Sequence, residues 1–192
     1  MIWSRSVATA LLGGALFFSS SAFAADTWSV DPAHSTAIFR IKHFGASWQY
    51  GRFNDLAGTL VLDDADPTRS TLELTIKTGS VDTNNTKRDD HLKSPDFFDA
   101  AQYPTMTFKS KKIAVKSANL WAVTGDLTMH GVTREVTVDL ERSGTGKDPW
   151  GGTRTGAETT FTIKRSDFGV SFMPDGLGDD VRIIVSVEAV KK

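Results

Sequence analysis

Residues 88 to 110 read R88-D-D-H-L-K-S-P-D-F-F-D-A-A-Q-Y-P-T-M-T-F-K-S110. A charged helical turn runs into adjacent Phe97 and Phe98, and then into an alternating strand. Ser94 is a good N-cap and Pro95 a good first helical residue, so the spacing predicts a short helix that carries both phenylalanines until Tyr103-Pro104 stops it. So much apolar surface beside so much charge suits a lid over an apolar interior. The whole insertion runs from Asp82 to Pro104, and compact β domains seldom carry so long a connection without a functional reason.

On both sides of this insertion apolar residues recur at every second position, the period of half-buried strands. Ala37, Phe39, Ile41 and His43 share one face opposite Arg40 and Lys42, and residues 51 to 62 form the next run. Leu72, Leu74 and Ile76 oppose Glu73, Thr75 and Lys77, and Met106 and Phe108 oppose Thr107 and Lys109. A strand over 119–128 is joined by a tight His130-Gly131 turn to Val136, Val138 and Leu140. Ala157, Thr159, Phe161 and Ile163 form a seventh run and Val181, Ile183, Val185 and Val187 an eighth. Eight such runs fit either a two-sheet sandwich with a solid core or a closed barrel, whose interior is filled by side chains or holds one small ligand, as in lipocalins. The insertion favours a barrel capped at one end. The expected fold is all-β, an eight-stranded antiparallel lipocalin-like barrel with a short helical cap.

Residues 1–24 have the form of a signal peptide: Arg5, an apolar run from Val7 to Phe18, and the small-x-small Ala22-Phe23-Ala24. The run is shorter than the ~20 residues of a membrane span, so the reading is an exported, periplasmic or secreted chain with no integral membrane segment after cleavage. The domain expected to follow occupies residues 25–192. The chain has no cysteine, so its fold rests on its core rather than on disulfides. A net charge of −1 without a long basic run excludes nucleic acid as a partner.

The polar residues give little sign of catalysis. His34, His43, His91 and His130 show no metal-ligand spacing, so neither metal nor cofactor is expected, and their simplest role, with Arg88 and Asp90, is to hydrogen-bond loops at the barrel end. No Gly-x-Ser-x-Gly elbow occurs. Gly144-Thr145-Gly146 and Gly151-Gly152 are turn chemistry around Asp148-Pro149-Trp150, because no strand-to-helix transition follows them. The region of Phe168-Gly169 and Phe172-Met173 fits an aromatic pocket rim or loop packing equally well.

Several separate motifs occur in one order: Asp31-Pro-Ala-His-Ser35, Lys42-His-Phe-Gly45, Gly51-Arg-Phe53, residues 88–98, Tyr103 to Ser110, Gly125 to Thr133, Arg165-Ser-Asp-Phe-Gly-Val170 and Gly178-Asp-Asp-Val181. In these motifs the chain resembles the YceI-like family of bacterial periplasmic proteins. The resemblance spans essentially the whole mature chain. It implies a lipocalin-like barrel that binds polyisoprenoid chains, quinones among them. Lys164, where the family often has Asn, and the aromatic stretch Trp48 to Tyr50 depart from the pattern and bear on ligand selectivity.

The resulting expectation is a non-enzymatic carrier for one long apolar molecule, an isoprenoid or other lipophilic small molecule. Its tail contacts, read from strand parity, are Phe39, Ile41, Leu72, Leu74, Ile76, Met106, Phe108, Val136, Phe161 and Ile183, with Phe97 and Phe98 closing the path from the cap. A bulge would flip any of these assignments, and Gly51, Gly58 and Gly125 are candidate bulge positions. Three alternatives stay open: a scavenger of lipophilic toxicants or antibiotics, a pocket enzyme using the His, Asp and Arg residues of the barrel end, and a solid interaction module. Homodimerisation is also left open.

Overall fold

The computed structural model describes residues 25–192; the signal-peptide assignment falls on residues outside it. Eleven strands form one antiparallel sheet: β1 Asp26–Val30, β2 Thr36–His43, β3 Ser47–Phe53, β4 Leu56–Leu62, β5 Thr71–Lys77, β6 Val81–Asp82, β7 Thr105–Val115, β8 Leu120–Met129, β9 Val132–Lys147, β10 Thr153–Lys164 and β11 Leu177–Lys191. The single α-helix among the described residues, α1, spans Thr86–Lys93.

The eleven strands make eight staves. Starting at β4, each strand of the series β4, β5, β7, β8, β9, β10 and β11 pairs with the next, and β1 pairs with both β4 and β11, which closes the barrel. The first three staves are each broken once. β2 prolongs β1 beyond a 3-10 turn at Pro32–His34, β3 bends into β4 at Asn54-Asp55, and β6 prolongs β5 beyond a 3-10 turn at Thr78–Ser80. The first break is set by Asp31, whose side chain accepts from the Ala33 amide, and by Ser35, which exchanges hydrogen bonds with the Glu188 backbone on β11. The eight-stave closed barrel and its cap therefore match the sequence reading.

The hairpin at His130-Gly131 has φ of 52° and 72°, the doubly left-handed turn whose twist suits flanking strands. Register shifts occur at Gly156/Ala157, between Ser110 and Lys112, and between Leu177 and Val181. Gly125 pairs with Ser110 beside one of these shifts, but Gly51 and Gly58 lie in unbroken ladders. Their smallness serves close approach instead. A Cβ at Gly51 would stand 2.3 Å from the Phe39 ring, and one at Gly58 would stand 2.4 Å from the Glu73 carbonyl oxygen.

The cap departs from the expectation in its local boundaries. Ser94 is the C-cap of α1 rather than the N-cap of a later helix, and the chain from Pro95 to Gln102 runs in successive turns. Asn85 is the true N-cap, accepting from the Arg88 amide at 3.0 Å, with Asp89 in the first turn. Pro95 forces Ser94 into extended backbone, φ −74° and ψ 170°, and so ends the helix it was expected to begin. Arg88 and Asp89 both bind Thr83, tying α1 to the end of β6. Among the described residues β6 pairs only with β3, so the wall between β6 and β7 is open above the Lys77–Thr105 pair, and the insertion fills this gap.

Candidate functional site

Inside the staves the barrel has two ends. At the end away from the cap, Trp28, Leu62, Ile113, Trp121 and Ala189 form a buried cluster with Leu60 and Val123, whose other side faces the cavity, and Trp121 is 1% exposed. Arg142 stacks on the Trp121 ring, 4.7 Å from its centroid, and its guanidinium donates to Asp64, closing this end from outside. Towards the cap, the facing side chains separate around a cavity of about 360 Å³.

Eleven of the twelve residues read from strand parity and from the cap line this cavity: Phe39, Ile41, Leu72, Leu74, Ile76, Phe97, Phe98, Met106, Phe108, Phe161 and Ile183. Val136 does not. It faces Gly125, over which the Phe108 ring lies, and it packs with the solid cluster that Phe108 also touches. Parity put Val136 on the correct face, but position along the stave decides whether that face meets cavity or core. Leu72 and Phe108, with Leu60, Val123 and Val138, belong to both regions and form the floor.

The cap closes the other end with rings. Phe98 meets Phe53 edge-on at 5.4 Å and Phe39 at 6.4 Å, whereas Phe97 meets Phe172 at 5.3 Å, with His91 edge-on to both. Phe172 belongs to the loop 169–176, so this aromatic cluster joins the insertion to a second loop. Of the region read as a rim, Phe172 and Met173 line the cavity, while Phe168 is buried outside it. Phe53, Leu127, Ile163 and Leu177 also line it and were missed; Phe53 and Ile163 simply continue the parity of Gly51 and Phe161.

The least expected wall residue is Arg165, 5% exposed. Its guanidinium donates to the carbonyls of Gly178 (2.9 Å), Val170 (3.2 Å), Phe172 (2.8 Å) and Leu177 (3.2 Å). Burial lowers its pKa from the ordinary arginine value, partly countered by Asp179, and an arginine remains charged throughout the physiological range. Four carbonyl oxygens solvate the charge and fix the loop above it. Its place in a run of four polar residues, Lys164 to Asp167, hides this role from parity.

The remaining mouth residues are polar: His43, Gln49, Thr83, Arg88 and His91. His91 Nε2 lies 2.8 Å from an Asp96 oxygen, and the His130 ring faces Tyr103 with Nδ1 3.2 Å from the Phe168 carbonyl. Arg88 and His91 thus do hold loops at the barrel end. Asp90 instead faces Lys93 on the surface, at 3.5 Å. Among the described residues, one group of three potential metal donors converges, Asp31, His34 and Glu188. It lies at the β1–β2 break, and Arg154 already bridges its two carboxylates, reaching Asp31 at 2.8 Å. These bonds, Arg154 first and His34 second, bring the Asp31 pKa down to about 2.

Fold and cavity together define a capped up-and-down β-barrel, hollow at one end, with an apolar chamber and a polar mouth. The chain belongs to the YceI-like family, whose domain model matches residues 28–189. It is 42% identical over 179 residues to the protein YceI of Escherichia coli, covering 92% of this chain and 93% of that one. Among solved structures it is similar to Burkholderia cenocepacia BcnA, with a TM-score of 0.76, 28% identity, and coverage of 83% of this chain and 98% of that one. It also shares its fold with a polyisoprenoid binding domain from Saccharophagus degradans implicated in plant cell wall breakdown. That match has a TM-score of 0.69 and 18% identity over 86% of this chain and 98% of the other. Among the described residues, no helix is long and apolar enough to cross a membrane.

Proposed function

We propose that this protein binds one isoprenoid-tailed lipid, such as a polyprenyl chain or a quinone, with its tail in the chamber and its polar head at the mouth among Gln49, Arg88 and His91. The observation that carries the reading is an apolar cavity of about 360 Å³ in a barrel whose other end is solid. A tail that buries ~500 Å² gains ~12 kcal/mol at ~25 cal/mol per Å², against an association cost of ~4–15 kcal/mol. Useful affinity therefore requires a dry, matching chamber and no catalytic group. Family membership and the shared fold with a polyisoprenoid binding domain support the same ligand class.

The role proposed is that of a non-enzymatic carrier in the periplasm, reached by export and cleavage after Ala24; a scavenger of lipophilic toxicants would use the same chamber. The test is mass spectrometry of organic extracts from protein purified out of its native compartment, with the N-terminal residue determined on the same sample. A prenyl lipid in near-stoichiometric amount on a chain starting at Ala25 is expected. Protein that yields no lipid and takes up no ubiquinone when offered it overturns the reading.

A further inference from the structure

The outer face of the β2–β3 hairpin differs from the rest of the surface. Arg40, Lys42 and Arg182 lie side by side there, and none has a carboxylate within ion-pair distance among the described residues. Arg40 and Arg182 are directly opposed across the β11–β2 ladder, an arrangement that like charges make unfavourable. The nearby Asp180 is engaged by Lys164 at 3.7 Å. This concentration of positive charge stands on a chain whose net charge is −1.

Large apolar side chains share the face. Trp48 and Tyr50 are 47% and 50% exposed, and Arg40 and Lys42 lie over the Trp48 ring at 4.3 and 4.9 Å. The Arg40 Nε is buried and has no acceptor among the described residues. At the hairpin tip Phe44 is 63% exposed, and both its side chain and that of Met173 lie against Gly176. Phe44 and Met173 hold left-handed backbone, φ 46° and 51°, which bulky residues adopt only at a cost. Phe44 fills a turn position that asparagine or glycine usually takes. The tip adjoins the cavity mouth, since His43 and Met173 line the chamber.

We infer that this face docks on an anionic lipid surface. Cations attract the phosphates, while tryptophan and tyrosine at the level of the head groups and a projecting Phe44 and Met173 enter the apolar boundary. Aromatic residues and arginine together also mark protein interfaces; what favours lipid is a projecting Phe44 and a face continuous with the mouth of an apolar chamber. Docking there sets the mouth against the bilayer. The inference concerns the outside of the barrel and stands apart from what the chamber holds.

Flotation of the mature protein with vesicles of phosphatidylcholine, with and without phosphatidylglycerol, tests it. Binding is expected to the mixed vesicles and to weaken with added salt. Lys42→Gln with Arg182→Gln should lower it by about 25-fold, about fivefold for each cation. Phe44→Asn suits the turn, so it should fold at least as well, and it should weaken binding by about tenfold. Lys112→Gln, on the far wall, should change nothing. Ubiquinone uptake from detergent should be the same in all of these variants, which separates this surface from the chamber. Equal flotation with neutral vesicles, no flotation at all, or variants that float like the parent would each overturn the inference. So would loss of a dimer in Trp48→Ser, seen by sedimentation, since the face would then join two copies of the chain.

Discussion

The two ends of this barrel are built from the same alternating strands and yet have opposite interiors. Around Trp28 and Trp121 the staves carry rings and branched aliphatics that meet at the axis. Around Ile41, Ile76 and Ile183, similar side chains stop short of one another and leave a chamber. Strand parity is identical at both ends; what differs is closure. The solid end is covered from outside by the stacked Arg142, whereas at the hollow end a chain segment, rather than a strand, fills the gap between β6 and β7. An up-and-down barrel can thus be core and container at once, with Phe108 and Leu72 as the partition.

Truncation should expose that difference most sharply. Trp121→Ala removes a ring from the solid end and should cost about 3–5 kcal/mol in urea unfolding, the same with or without added ubiquinone. A loss below about 1 kcal/mol would mean that this end is not packed as described. Arg165→Met comes next. It leaves four carbonyls without their charged donor and should cost about 2–3 kcal/mol, with faster proteolysis confined to loop 169–176. Unchanged protease resistance would show that the loop is held by other contacts.

Ile41→Ala tests the hollow wall. Its methyls already face empty space, so the unfolding free energy of the lipid-free protein should fall by only about 1 kcal/mol while ubiquinone affinity falls about tenfold. A loss as large as that of Trp121→Ala would erase the distinction between the two ends. The smallest effect belongs to the β1–β2 break. Because folding lowers the Asp31 pKa from 3.8 to about 2, its contribution is complete above the unfolded value and is lost as pH falls towards the folded one. Between pH 5 and pH 2 the stability of Asp31→Asn should decline less steeply than that of the parent; parallel curves would remove Asp31 from the pH response.

Most of this architecture was legible in the sequence because burial on one face imposes period two on every stave, and a reader needs only to follow it. The breaks were not legible. A 3-10 turn at Pro32–His34 or Thr78–Ser80 bends a stave without ending its path around the barrel, and the bend at Asn54-Asp55 likewise makes two strands of residues 51–62, which read as one. The cap was legible as a lid but misplaced locally, because Ser94-Pro95 and Asn84-Asn85 are both plausible helix starts. The second is recognisable from Asp89 in the first turn. Arg165 was visible only as the head of a motif and its buried role was not: a charge buried by backbone carbonyls has no sequence periodicity, and its partners Val170, Phe172, Leu177 and Gly178 are individually unremarkable.

The closure of the barrel by β1 against β11 also orders the way the protein can be made. Asp26 and Lys191, which pair across this seam, stand 165 residues apart in the chain, while every other stave pairs with the stave that follows it. The meander from β4 to β10 can form by successive hairpins, but the seam must wait until the last strand is available. Until then the sheet is an open scroll with two sticky edges and a half-made chamber. Contacts so distant in sequence slow folding, which puts barrel closure among the late events and leaves both edges of the sheet open until then.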